Sequence, residues 1–209
     1  MAFFLLTSCA GKSNESAKTS ETKVTADDID YFLSVEEYSS VRTEAITHIL
    51  IHFMSAAVTH PEDPYNMVYI RNVFTESNTS AHYLIDRSGL VYACIPEARN
   101  AWHAGKGTWG EFKDNMNSRS IGIELMGIGT YEEMKVYILE PDYKKIDPGF
   151  IGFTQAQYDS LNKLLKDIFA RNPKIIADRN HVIGHCEYNS RRTDPGSLFD
   201  WSKLSFADG

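Results

Sequence analysis

Cysteine, positive charge and long apolar runs are all scarce in this 209-residue sequence, and each scarcity excludes a class of protein. Three cysteines are too few, and odd in number, for the framework of a disulfide-stabilised scaffold. The formal net charge of −7 argues against a nucleic-acid partner, which would require a basic patch. No apolar run approaches the roughly 20 residues of a membrane-spanning helix. What remains is a chain long enough for one domain with a substantial core, preceded by a tail.

The first 27 residues differ in composition from the rest of the chain. A short apolar run at residues 2–6 leads into Leu-Thr-Ser-Cys, which ends at Cys9, and then into a polar stretch. This tetrapeptide resembles the lipobox of bacterial lipoproteins, in which the cysteine becomes the acylated N-terminus, and the polar stretch has the composition of a solvated tether. The run is short for a signal sequence and no Lys or Arg precedes it, so a start further upstream and a chance match are the alternatives. We interpret residues 1–27 as a lipoprotein signal and tether, with acylated Cys9 as a membrane anchor in the bacterial cell envelope, outside the cytoplasm.

Two short apolar runs, ITHILIHF and HVIGH, carry pairs of histidines. His48 and His52 are four residues apart, and His181 and His185 have the same spacing. On a helix each pair would face one metal ion, but on a strand four residues span roughly 13 Å and the pair cannot share an ion. The β-branched and apolar neighbours favour strands. Each run therefore offers one ligand at its C-terminal end, and we expect His48 and His181 to be structural.

A polar loop after the second run ends in Asp194, directly before a Pro-Gly turn. His185 and Asp194 offer a nitrogen and an oxygen donor, the mixture that a catalytic zinc site takes from the protein while one position stays open for water. Two ligands do not make a site, and His52 is the best candidate for the third. The sequence therefore predicts a zinc site formed by these three residues.

Strands and helices alternate along the rest of the chain. SIGIEL at residues 120–125 is typical of a strand, and Ser88-Gly89 between two alternating runs indicates a hairpin. Residues 154–171 predict a helix that starts with a capping box. A further strand is expected over residues 135–139. This order favours an α/β fold, with a mixed central β-sheet flanked by α-helices.

The motifs follow one another in a distinctive order. A histidine at a strand end (His52) is followed by SAHYLID, AWHAG, SIGIEL and GH…TDPG. Together they resemble the type 2 N-acetylmuramoyl-L-alanine amidases, relatives of phage lysozyme-type amidases and of peptidoglycan recognition proteins, over about residues 43–201. The resemblance implies one zinc amidase domain at residues 28–209 and a peptidoglycan or muropeptide substrate. It also implies one zinc ion held by His52, His185 and Asp194, and cleavage between the lactyl carbonyl of N-acetylmuramic acid and L-alanine.

The resemblance implies roles for residues outside the ligand set. Glu124, in SIGIEL, matches the glutamate that handles the proton of the metal-bound water. His103, in AWHAG, matches a histidine lining the substrate groove. Ser80 and His82 match the family pattern on the strand beside the metal and are expected to contact substrate. The phage branch has a catalytic tyrosine where this chain has Ala81, which fits the branch that uses the glutamate.

Arg192 stands two residues before Asp194, where the family commonly has a lysine assigned to the oxyanion. Arginine keeps the charge but presents a planar fork in place of a point charge. In the implied reaction, zinc lowers the pKa of its bound water towards ~7 and Glu124 acts as general base and then general acid. The metal and Arg192 would stabilise the oxyanion. Residues 126–149 form a longer segment than is usual in the family and are expected to shape the groove.

Other functions stay open at this point. A non-catalytic peptidoglycan-binding module would keep the groove but lack metal ligands, and a cytosolic recycling enzyme for anhydro-muropeptides would need no lipid anchor. A cysteine hydrolase would need the Cys186 thiolate within reach of a base, but a strand would point Cys186 away from its neighbour His185. Glu124 has a simpler interpretation as a solvated edge carboxylate, and His103 as an ordinary loop residue. In every case we expect a monomer that binds no nucleic acid.

Overall fold

A computed structural model of the chain describes residues 31–206. The interpretation of residues 1–27, including an acylated Cys9, concerns residues outside this range and stays a prediction. Within the described range, no helix has both the length and the apolar character needed to cross a membrane.

Short strands alternate with helices along the described part of the chain. In chain order the elements are β1 (Ser39–Val41), β2 (His48–Met54), α1 (Met67–Ser77), β3 (Tyr83–Ile85), β4 (Val91–Ala93), β5 (Arg99–Ala101), β6 (Thr108–Trp109), β7 (Phe112–Lys113), α2 (Met116–Arg119), β8 (Ser120–Met126), α3 (Tyr131–Met134), α4 (Glu140–Tyr143), α5 (Gln155–Arg171), β9 (Val182–Gly184) and α6 (His185–Tyr188). Single turns of 3-10 helix follow α4 and end the described chain, at Pro148–Phe150 and Trp201–Lys203. This order confirms the predicted α/β class.

Five strands form the central sheet, in the order β4-β3-β8-β2-β9. β2 runs parallel to β8 and β9, whereas β3 runs parallel to β8 and antiparallel to β4, so the sheet is mixed as predicted. Parallel neighbours end at the same edge, and the register pairs His52 of β2 with Glu124 of β8. Ligands in open α/β sheets bind beyond the carboxyl ends of the strands. The fold thus brings His52 and Glu124 to the edge where a site is expected.

The α5 helix covers one face of this sheet and forms most of the core with it. The central members of this core are Ile49, Ile51, Ile121, Ile123, Leu125, Leu161, Leu164, Leu165 and Ile168. Side chains alternate across a strand, so Leu50 faces away from α5, where Ala104 and Met116 pack against it. His52 and Glu124 have the same parity and share that second face. The helix therefore supplies stability on one side and leaves the other for chemistry.

The helix predicted over residues 154–171 is confirmed as α5, together with its capping box. Gln157 N donates to Thr154 Oγ1 at 3.2 Å, and Thr154 N donates to Gln157 Oε1 at 2.9 Å. The same glutamine reaches the sheet, since its Nε2 donates to the carbonyl oxygens of Ile85 and Met126. The cap thus fixes the start of the helix and its position on the strands at once.

The strand expected over residues 135–139 is wrong. Thr130 and Glu133 form a capping box that starts α3 just before this segment. Met134 and Ile138 are four residues apart and both are buried in one small cluster, which is the spacing of a helical turn and not of a strand. The backbone agrees, because Ile138 N donates to Met134 O at 3.0 Å.

Candidate active site

His52, His185 and Asp194 converge at the carboxyl edge of the sheet. His52 Nδ1 lies 2.9 Å from Asp194 Oδ2 and 3.1 Å from His185 Nδ1, and His185 Nδ1 lies 2.9 Å from the same Asp194 oxygen. His52 is in β2, whereas β9 ends at Gly184 and His185 opens α6. Both imidazoles are buried, 1% and 4% exposed, respectively. Three separate elements therefore deliver the three donors that the sequence predicted.

This donor set fits a zinc ion. In a tetrahedral site with bonds of about 2.0–2.1 Å the ligand atoms lie roughly 3.3–3.4 Å apart, close to the spacing of the three donors here. His185 Nε2 donates to the carbonyl oxygen of Ala104 at 2.9 Å, which leaves the Nδ1 lone pair directed at the cluster. Within residues 31–206, this is the one group of three or more His, Cys, Asp or Glu side chains close enough to hold an ion. Two imidazoles and one carboxylate suit zinc.

The surroundings keep His52 and Asp194 in the forms that bind a cation. Burial and, to a smaller extent, the neighbouring His185 lower the pKa of His52 from 6.5 to about 4, so His52 is neutral at pH 7. Burial raises the pKa of Asp194, but the two imidazoles beside its Oδ2 atom, those of His185 and His52, outweigh burial and hold this pKa below its ordinary value. A neutral imidazole and an ionised carboxylate are the ligating forms.

Glu124 stands beside His52 on the neighbouring strand. Its Oε2 atom is buried and has no hydrogen-bond partner within residues 31–206. Burial raises the pKa of Glu124 well above its ordinary value, the charge of Asp194 raises it further, and Arg192 opposes the rise. An unpaired buried polar atom costs roughly 1–3 kcal/mol, and perturbed carboxyls of this kind cluster at functional sites. Glu124 is thus not the solvated edge carboxylate of the simpler interpretation.

A cavity of about 380 Å³ opens over the cluster, and Glu124 and Arg192 line it together with the three metal-ligand candidates. Arg192 belongs to the loop between α6 and Asp194, where its backbone N–H donates to Asn189 O at 2.9 Å. Its positive charge lies near enough to lower the pKa of Glu124. The cavity thus combines a metal-type donor set, an unpaired carboxyl and a cation.

His103 and Ser80 reach the same cavity but are bonded within the protein. His103 Nδ1 lies 3.0 Å from His52 Nε2, and its Nε2 lies 3.3 Å from Ser120 Oγ. Burial and the neighbouring histidines hold the pKa of His103 well below its ordinary value. Ser80 Oγ donates to Tyr38 O at 2.7 Å and accepts from Trp102 N at 2.8 Å. Their contact with substrate stays a prediction.

His82 does not reach the cavity. It is fully buried, and its Nδ1 accepts from Gly122 N at 3.0 Å while its Nε2 faces the carbonyl oxygen of Arg99 at 3.1 Å. The half-buried Arg42 guanidinium lies against the same ring nitrogen, at 3.0 Å. The structure therefore places His82 behind the site, in contacts that join β3 to β8, and not where a substrate would lie.

Cys186 lies in α6 and not on a strand, so the expectation that a strand points its side chain away from His185 is wrong. Its backbone N–H donates to Asp194 O at 2.8 Å, so the residue fixes the ligand loop through the main chain. Burial raises the pKa of the Cys186 thiol, and Glu187 and Asp194 raise it further. A cysteine nucleophile needs the opposite shift, so the site does not support a cysteine hydrolase.

Sequence reasoning missed part of the cavity lining. Val73 and Glu76 of α1 line the cavity, and so do Met134 and Tyr137. The last two belong to residues 126–149, so this segment does shape the groove. No motif marks the α1 residues, because the spacing of its apolar side chains indicates only the face that packs on the core.

The chain is similar to proteins of one known family. A family model described as N-acetylmuramoyl-L-alanine amidase matches residues 42–197. The chain is 31% identical over 153 residues to the 1,6-anhydro-N-acetylmuramyl-L-alanine amidase AmpD of Citrobacter freundii, covering 73% of this chain and 68% of that protein. It is 32% identical over 139 residues to the N-acetylmuramoyl-L-alanine amidase AmiD of Escherichia coli K12, covering 63% of this chain and 45% of that protein.

Solved structures agree with this similarity. A crystal structure of a selenomethionine derivative of AmpD has a TM-score of 0.64 at 25% identity, covering 86% of this chain and 98% of that one. Escherichia coli AmiD, in complex with the substrate anhydro-N-acetylmuramic acid-L-Ala-D-gamma-Glu-L-Lys, has a TM-score of 0.58 at 27% identity, covering 79% and 59%. The chain spans about half to two thirds of the length of the curated relatives it matches. Since the family model covers well over half of it, this chain belongs to the N-acetylmuramoyl-L-alanine amidase family.

Proposed function

We propose that this chain is a zinc-dependent amidase that hydrolyses the bond between N-acetylmuramic acid and L-alanine in muropeptides. The observation that carries the proposal is the convergence of His52, His185 and Asp194 beneath a cavity that also holds the unpaired carboxyl oxygen of Glu124. Family membership supports the same chemistry. The complete ligand set favours an enzyme over a non-catalytic peptidoglycan-binding module.

The proposed substrates are N-acetylmuramyl peptides, with 1,6-anhydro-muramyl peptides among them. Support comes from the AmpD relatives, which are 1,6-anhydro-N-acetylmuramyl-L-alanine amidases, and from the anhydro-muramyl tripeptide bound by AmiD. The cavity suits such a ligand, because Val58, Val73 and Tyr137 offer apolar surface while Glu76 and Arg192 offer charge of both signs. A sugar ring and a charged stem peptide need both kinds of contact.

Glu124 is proposed to move the proton of the reaction. As a carboxylate it accepts a proton from the attacking water, whose oxygen bonds to the lactyl carbonyl carbon. Arg192 donates hydrogen bonds to the carbonyl oxygen as negative charge develops on it. The carbon–nitrogen bond then breaks, and Glu124 returns its proton to the amine of L-alanine. A zinc ion held by His52, His185 and Asp194 would supply Lewis-acid chemistry, which acidifies water and polarises the carbonyl.

The cellular placement follows from the N-terminal sequence alone. We propose that acylated Cys9 anchors the domain to a bacterial membrane, with muropeptides of the cell envelope as its substrates. Palmitate labelling of the full-length protein in a bacterial host tests this, with Cys9→Ser as the control. Equal labelling of the two proteins, or none in either, would remove the anchor and favour a recycling enzyme.

Metal content and stem-peptide release test the proposed activity together. We expect about one zinc per chain, activity that is lost on chelation and restored by added zinc, and release of a free L-alanine amine. Glu124→Gln should bind zinc but release peptide about 10²–10⁴-fold more slowly, whereas Glu111→Gln, which alters an exposed glutamate outside this cavity, should stay fully active. A protein that binds muropeptide without zinc and without release would be a recognition module.

A further inference from the structure

A row of buried hydrogen-bonding groups continues from His52 into the interior of the domain. His52 Nε2 lies 3.0 Å from His103 Nδ1, and His103 Nε2 lies 3.3 Å from Ser120 Oγ. Ser120 Oγ in turn lies 2.6 Å from the carbonyl oxygen of Met116. His52, His103 and Ser120 are 1%, 8% and 0% exposed. These groups therefore depend on one another for hydrogen bonds.

The Met116 carbonyl oxygen, at the inner end of the row, determines which group donates each hydrogen bond. A carbonyl oxygen can only accept, so the Ser120 hydroxyl donates to Met116. The Ser120 oxygen then accepts from His103, which places the hydrogen of the neutral His103 ring on Nε2 and leaves a lone pair on Nδ1. That lone pair accepts from His52, whose hydrogen therefore sits on Nε2. Nδ1 of His52, the atom that faces Asp194 and His185, keeps a free lone pair.

We propose that His103 and Ser120 are positioning residues that fix the tautomer and ring orientation of His52 for zinc. This inference rests on the proposed zinc site, and it places His103 behind a metal ligand and not against the substrate. A hydrogen-bond partner on the outer nitrogen of a ligating histidine is typically worth 10–100-fold in metal affinity. His185 reaches the same state by a shorter route, since its Nε2 donates directly to Ala104 O.

One short segment, residues 103–104, supports both ligand candidates, His52 and His185. The side-chain oxygen of Asn117 accepts from the backbone N–H groups of His103 and Ala104, at 3.0 and 2.8 Å. It therefore holds both the ring that orients His52 and the carbonyl that orients His185. Gly122 leaves the space for that ring, because a Cβ atom at this position would lie 2.5 Å from His103 Cγ. These contacts hold residues 103–104 in place beside His52 and His185.

The test compares two replacements of His103 in the full-length chain. Asparagine carries an acceptor near the place of Nδ1, whereas leucine has similar bulk and no acceptor. Zinc affinity is measured by competition with a chelator, and KM for a muropeptide is measured on zinc-saturated protein. We expect His103→Leu to bind zinc about 10–100-fold more weakly than the wild type, and His103→Asn to stay within about threefold of it.

Each alternative has its own outcome. Unchanged zinc affinity in His103→Leu would overturn the proposal, and an equal loss in His103→Asn would do the same by indicating a packing role. A raised KM with unchanged zinc affinity would indicate that His103 contacts the substrate instead. If His103→Leu does not fold, Ser120→Ala decides, with about a tenfold loss of zinc affinity expected and no loss contradicting it. A wild-type protein that binds no zinc would instead refute the proposed function itself.

Discussion

His48 gives the described structure a measurable dependence of stability on pH. The ring is buried, 4% exposed, with Phe112 and His181 packed against it at centroid distances of 5.0 and 5.2 Å. Burial and, to a smaller extent, His181 lower the pKa of His48 from 6.5 to about 4. In the unfolded chain the ordinary pKa returns, so between pH 6.5 and 4 the unfolded state binds more protons than the native state. The stability that neutral His48 contributes is present above pH 6.5 and is lost as the pH falls towards 4.

The size of the effect follows from these two pKa values. Between pH 7.5 and 4.5, proton linkage at this one histidine lowers the free energy of unfolding by about 2.5 kcal/mol. Glutamine does not titrate, so His48→Gln should lose about 2.5 kcal/mol less than the wild type over the same interval. Any cost of the substitution that does not depend on pH cancels, because each protein is compared with itself.

Urea unfolding at the two pH values, followed by tryptophan fluorescence, measures this difference. The full-length chain is kept in chelator, because zinc binding has a pH dependence of its own. Other buried histidines contribute equally to both proteins, among them His82, whose pKa is lowered to about 3 by burial and by Arg42. The same acid-induced loss in His48→Gln and wild type would refute the reasoning.

Three further predictions concern the site and the core. Glu124→Gln should lower kcat about 10²–10⁴-fold while one zinc per chain stays bound, because only the proton-transfer group is removed; simultaneous loss of zinc would show a ligand role instead. Arg192→Lys should keep most of the peptide-release activity whereas Arg192→Met should lose about 10²–10³-fold in kcat, and equal rates in the two would take Arg192 out of the mechanism. Leu161→Ala, at a position that is 0% exposed under α5, should lower the urea-unfolding free energy by about 2–5 kcal/mol with kcat/KM unchanged at room temperature. A much smaller loss would mean that neighbouring core side chains move into the space left by the leucine side chain.

The His52, His185 and Asp194 cluster could be predicted because the argument needs only short-range sequence features. The β-branched runs predict strands, and a strand separates His48 from His52 by too great a distance for one ion. This argument selects His52 and His185 before any fold is known, and the structure places both in the cluster. The argument holds although β9 ends at Gly184, one residue before His185. A side chain that directly follows a strand still lies at the carboxyl edge of the sheet.

The supporting contacts could not be predicted, because their partners are distant in sequence. Ser120 meets His103 across 17 positions, and Asn117 holds His103 across 14. Neither contact leaves a periodic pattern. His82 is the opposite case. A family motif places it near the metal, but in the structure both its ring nitrogens contact backbone groups away from the cluster. Motif position identifies which residues lie near a site, and only the hydrogen bonds separate those that face the cavity from those behind it.

The proposed metal and the proposed base depend on each other through charge. Without a cation, burial and the charge of Asp194 together raise the pKa of Glu124, which favours its protonated form and opposes its use as a base. A divalent ion held by Asp194 would add two positive charges beside Glu124, which would lower that pKa. Bound zinc would thus help in two ways, by acidifying water and by favouring the ionised form of the carboxyl that receives the proton. The buried Oε2 atom of Glu124, which has no hydrogen-bond partner within residues 31–206, then lowers the stability of the fold. We infer that it is retained because the proposed zinc-bound site requires a carboxylate at that place.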